Sequence, residues 1–68
     1  MPHITISMYK GRDEVLKKSI AEKTRDFLSK EMDVDPSAFT VSIVDYEKED
    51  FQKEVLDKVD PDTMYVKK

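Results

Sequence analysis

From Pro2 to Tyr9 the apolar and polar positions alternate. Ile4, Ile6 and Met8 share one side, and His3, Thr5, Ser7 and Tyr9 the other. A period of two predicts a half-buried strand. Lys10-Gly11 contains the chain's one glycine and marks the turn that ends it. Beyond Asp13 the period changes. Val15, Leu16, Ile20, Thr24, Phe27 and Leu28 recur at helical spacing, with lysines and acids mostly on the other faces. A helix is expected from about Asp13 to Glu31, its N-terminal end suited by Asp13 and Glu14. Pro36 makes 33–37 a connector. A second strand follows from Phe39 to Asp45, with Phe39, Val41 and Ile43 on one side and Thr40, Ser42 and Val44 on the other. After Tyr46 a charged helix is expected from about Lys48 to Lys58, with Phe51, Val55 and Val59 four residues apart. Asp60-Pro61 stops it, leaving a short tail with Met64, Tyr65 and Val66.

Strand, helix, strand is a βαβ unit with parallel strands. At 68 residues the chain has room for one domain, 1–68. Hydrophobic residues make up 38% and charged ones 40%, so the core must be built from few side chains. Domains of this size usually need disulfides, a metal or a partner subunit. Cysteine is absent and His3 is the only histidine, which leaves oligomerisation. Two strands under one helix are also too few for an independently stable sheet. Two units sharing a four-stranded sheet covered by helices would solve both problems, so a homodimer is the smallest expected form.

The net charge of −3, with both signs interleaved, argues against nucleic-acid binding. No apolar run approaches the roughly 18 residues of a membrane span, and none resembles a signal peptide. A soluble, cytoplasmic protein is expected, with no membrane partner.

Candidate chemistry begins at Pro2. Proline is tolerated at the first residue of a strand, where its missing N–H is not needed. The initiator methionine is normally removed before a proline, however, and removal would leave Pro2 as a free secondary amine. An ordinary α-amino group has a pKa of about 7.7–8.0, and burial or nearby cations lower it. An amine that is largely neutral at pH 7 is a competent general base. Arg12 lies just past the first strand, as either a solvated charge or a bidentate clamp for a carboxylate. Ten residues separate it from Pro2, so the two meet only if another subunit brings one end of the strand beside the other. Phe51 is either a packing residue or an apolar wall that desolvates an amine. His3 is expected at the surface or an interface. Asp33, Asp35, Glu49 and Asp50 fit connector and cap roles.

Met-Pro-His-Ile-Thr-Ile at the start, Gly11-Arg12 after the first strand and Phe51 after the second resemble the tautomerase superfamily. The most similar group is the 4-oxalocrotonate tautomerase-like family of short chains, and the resemblance runs to about residue 52. It implies an α+β, tautomerase/MIF-like fold and a keto–enol tautomerase that needs no cofactor or metal. Pro2 would be the general base acting on a small 2-oxo (enol) acid. Arg12 would bind the substrate carboxylate, and Phe51 would keep the amine in an apolar setting. Thr40 stands where hexameric members have a second-strand arginine that contacts the substrate's oxo and carboxylate oxygens. A hydroxyl carries no charge to offset a developing enolate, so a monocarboxylate or arylpyruvate-like enol is expected over a dicarboxylate.

The C-terminal part also departs from that pattern. A helix is expected where hexameric members have a glycine-rich hairpin, which favours a dimer over a trimer of dimers. Two further readings stay open. One is a non-catalytic dimeric module, since a retained Met1 would turn the Pro2 amine into an amide. The other is hydratase or dehalogenase chemistry, for which Glu47, Glu49 or Asp50 would activate water.

Overall fold

The computed structural model describes residues 1–66. Its elements are β1 (His3–Tyr9), α1 (Glu14–Met32), β2 (Thr40–Tyr46) and α2 (Lys48–Glu54), with 3-10 turns at Pro36–Ala38, Leu56–Lys58 and Pro61–Thr63. The two strands are parallel, in a register that runs from His3 opposite Thr40 to Tyr9 opposite Tyr46. This is the expected βαβ unit of the α+β class.

Local chemistry accounts for each boundary. Asp13 caps α1, its Oδ1 accepting the Leu16 N–H at 2.8 Å. At the other end Asp33 takes a left-handed conformation (φ 55°), the role usually filled by glycine. The Val34 N–H then reaches back to the Ser29 carbonyl at 3.0 Å, and the Ser29 hydroxyl donates to the Val34 carbonyl at 2.6 Å. The 3-10 turn opened by Pro36 is capped by Asp35, whose Oδ1 accepts from both the backbone N–H and the hydroxyl of Ser37. Those bonds, the backbone one foremost, hold the Asp35 carboxyl below its usual range.

Strand β2 starts at Thr40, one residue later than its pattern predicts, because Phe39 closes the preceding turn by donating to the Pro36 carbonyl. Helix α2 is shorter than expected. It ends at Glu54, and Val55 (φ −118°, ψ −67°) leads into i→i+3 bonds from Lys58 to Val55 and from Val59 to Leu56. Phe51 and Val55 remain one helical turn apart, but Val59 lies outside the helix.

Helix α1 packs against β2. Lys17 Nζ donates to Asp45 Oδ2 at 2.8 Å, and Ala21, Glu22 and Arg25 share a cavity of about 180 Å³ with Phe39 and Val41. The covered face of the sheet therefore carries Phe39, Val41, Ile43 and Asp45, with Ile4, Ile6 and Met8 beside them by register. The other face carries His3, Thr5, Ser7, Tyr9, Thr40, Ser42, Val44 and Tyr46. Among the described residues Phe39 is the one buried hydrophobic side chain. Phe27 is 66% exposed and Leu16 47%, on the flank of α1 away from the cavity. Apolar surface of this kind is what a partner subunit would cover. No helix among the described residues is long and apolar enough to cross a membrane.

Candidate active site

Pro2 sits at the entrance of β1, half-buried, and its carbonyl accepts the Thr40 N–H at 3.2 Å. That bond carries the parallel ladder one residue beyond His3 and aligns the Pro2 end of the chain with the start of β2. Thr40 is exposed on the open face, its Oγ1 in contact with His3 Nδ1. His3 Nε2 lies 3.3 Å from Ser42 Oγ, which donates to Thr5 Oγ1 at 3.3 Å. Pro2 and Thr40 are thus neighbours, as the second-strand position requires if both are to touch one ligand. His3, expected only at a surface or interface, joins them.

Arg12 and Phe51 lie at the opposite end. Gly11 has a positive φ of 130°, a conformation that side chains resist, and this turns the chain out of β1. Arg12 follows, exposed, with Nη1 donating to the Tyr9 carbonyl at 3.2 Å. It forms no ion pair with a carboxylate among the described residues, so its guanidinium is free to take an anion. The first turn of α2 carries Phe51 onto Tyr9 and Tyr46, with ring centroids 4.9 and 6.1 Å away and planes nearly perpendicular. Edge-to-face packing of this kind fixes the Phe51 ring on the open face of the sheet. Residue spacing does not single out Tyr9 and Tyr46 as its supports; their shared place at the ends of two in-register strands is the signal. Of the three acids near Phe51, Glu47 pairs with Lys10 at 3.1 Å, while Glu49 and Asp50 face solvent in the first turn of α2.

One chain therefore divides the candidate residues between the two ends of β1. Seven strand residues, at a rise of about 3.3 Å each, separate them by roughly 20 Å. No side chain bridges that length, so Pro2 and Thr40 cannot share a small ligand with Arg12 and Phe51 of the same chain.

A family model described as a tautomerase enzyme matches residues 2–60, a span that includes Pro2, Arg12, Thr40 and Phe51. Neither the curated proteins nor the solved structures contain a match to the chain.

Proposed function

Because the chain belongs to the tautomerase family, we propose that it is a cofactor-free keto–enol tautomerase whose active site forms between two subunits. Pro2 is the base once Met1 is removed. The substrate is a small 2-oxo acid in its enol form, held by its carboxylate on the partner subunit's Arg12. The observation that carries this reading is the division of the four site residues between the two ends of β1.

β1 has β2 on one side only, so its other edge is open to a second strand. Antiparallel pairing of two β1 edges about a two-fold axis normal to the sheet gives a closed, isologous dimer. It brings the end of one β1 beside the start of the other and keeps both open faces on the same side. The partner subunit's Phe51 then walls the amine and disfavours its charged form, while the partner subunit's Arg12 supplies the bidentate cation. The exposed Leu16 and Phe27 of α1 give the dimer apolar surface to bury. Met1, 96% exposed, is open to removal.

In the reaction the Pro2 nitrogen takes the enol proton and returns it to carbon, and the negative charge that develops on the oxo oxygen is met by Thr40. One hydroxyl in place of a cation suits a monocarboxylate or arylpyruvate-like enol. The test pairs the intact mass of the purified protein with an ultraviolet assay of enolpyruvates and 2-hydroxydienoates. Loss of one methionine together with enol turnover supports the reading. A mature amino terminus with every enol untouched overturns it, leaving a non-catalytic dimeric module.

A further inference from the structure

The open face beside Pro2 carries a run of polar side chains for which the proton transfer has no use beyond Thr40. His3 contacts Thr40 through Nδ1 and Ser42 through Nε2, and Ser42 reaches Thr5. The contacts follow from register, since His3 lies opposite Thr40 and Thr5 opposite Ser42. An imidazole bonded at both nitrogens has its ring plane set, and the proton on one nitrogen is decided by the partner of the other. The titratable groups that share this face from either strand are Tyr9 and Tyr46, both at its far end. Within one chain the side-chain hydrogen-bond partners of His3 are the hydroxyls of Thr40 and Ser42.

A threonine hydroxyl has one hydrogen to give and two lone pairs to receive with. If Nδ1 has no proton, Thr40 spends its hydrogen on the ring and turns only lone pairs outward, which repel an enolate oxygen. If Nδ1 is protonated, the ring donates to Thr40 Oγ1 and the threonine hydrogen is left for a ligand. Ser42 accepts from Nε2 of the imidazolium while its own hydrogen stays on Thr5; to serve a neutral ring as donor it turns that hydrogen to Nε2 and accepts from the Thr5 hydroxyl instead.

We infer that His3 is a positioning residue acting through Thr40: its Nδ1–H donates to Thr40 Oγ1, and Thr40 donates in turn to the oxo oxygen of the bound 2-oxo acid. The inference rests on the active-site reading above, which puts that oxygen beside Pro2. No proton leaves His3. Its effect is to aim the hydroxyl and to polarise it, since hydrogen bonds in a chain strengthen one another. The bond tightens as charge grows on the oxygen, so its loss falls on kcat more than on KM.

The experiment assays the mature protein with the enol of phenylpyruvate and compares His3→Leu, His3→Asn, Thr40→Val and the double variant His3→Leu/Thr40→Val. Nitrogen-15 NMR of the wild-type imidazole accompanies it, unambiguous because the chain has one histidine. His3 and Thr40 are both exposed, and circular dichroism verifies that each variant keeps the fold. Nδ1 should carry a proton. His3→Leu should lower kcat by about 10- to 100-fold with KM nearly unchanged. His3→Asn, which puts an amide donor close to the place of Nδ1, should recover much of the loss. The double variant should be no worse than Thr40→Val, because both changes remove one donor.

An unprotonated Nδ1, an asparagine no better than leucine, or losses that add in the double variant overturns the role of His3. A wild type that turns over the enol while His3→Leu is silent does the same and leaves the active-site reading standing. A mature wild type inactive on every enol removes both.

Discussion

Tyr9 and Phe51 meet edge to face, with ring centroids 4.9 Å apart and planes at 87°, at the end of β1 farthest from Pro2. The contact ties the first turn of α2 to the last residue of β1. Phe51 is thereby held on the same face as Thr40 but a full strand length away. A site that uses both residues has to be completed by a second chain.

The first prediction follows from that division. A chain that retains Met1 lacks the amine and should be inactive alone, and Arg12→Ala lacks the clamp and should keep about a tenth of the activity or less. Refolded together in equal amounts, half of the dimers are mixed, and each mixed dimer has one intact site. About a quarter of the wild-type rate should return, as expected for an isologous two-fold pair. No recovery in the mixture would mean that each site lies within one chain.

The second concerns the amine. Activity should rise with pH as Pro2 loses its proton, and the Arg12 charge and the Phe51 wall both favour the neutral form. Pro2→Ala, a primary and less rigid amine, should lower kcat and move the rising limb of the pH–rate profile. Full activity with an unmoved profile would remove any special role for the proline.

The third concerns the carboxylate. Arg12→Ala should cost roughly 1.5–3 kcal/mol of transition-state binding, the range for a lost hydrogen bond to a charged group. That equals about a 10- to 150-fold fall in kcat/KM. Thr40→Arg should raise turnover of a dicarboxylate relative to a monocarboxylate. If it does not, the threonine is not what sets the preference.

The fourth is a stability prediction. Phe39, 7% exposed, lines the cavity with Ala21, Glu22 and Arg25 of α1 and is the nearest thing to a core in the described chain. Phe39→Ala should destabilise the protein by about 3–5 kcal/mol in urea denaturation. If the protein is a dimer, the midpoint should also rise with protein concentration for both proteins, because association and folding are linked.

Alternation in residues 2–9 and 39–45 and the three-to-four spacing after Asp13 made both strands and α1 legible, since these periods are set by backbone geometry. The shortened α2 was not legible. Phe51, Val55 and Val59 keep a perfect four-residue spacing, yet the bonds tighten to i→i+3 after Val55, which no periodicity records. The separation of Pro2 from Arg12 could be read as a residue count along an extended strand. The His3–Thr40 contact could not, because it depends on the register between strands 37 residues apart in sequence, and nothing local to either strand states that register.

The last prediction uses the ion pair under α1. Lys17 Nζ donates to Asp45 Oδ2 at 2.8 Å and lies 3.6 Å from Glu14 Oε2. The bond to Asp45 foremost, against a smaller opposing desolvation, raises the lysine above its ordinary 10.5. A raised folded-state value means that the native state holds its proton more tightly than the unfolded chain does. The stabilisation is therefore complete below the ordinary lysine value and fades as pH climbs through the raised one. Lys17→Met keeps the apolar stem and removes the charge. Its urea midpoint should fall below that of the wild type at neutral pH, where Asp45 loses its partner. The gap should then close as the wild type loses the lysine proton. Two midpoint curves that stay parallel throughout the alkaline range would show that the pair adds nothing to the fold.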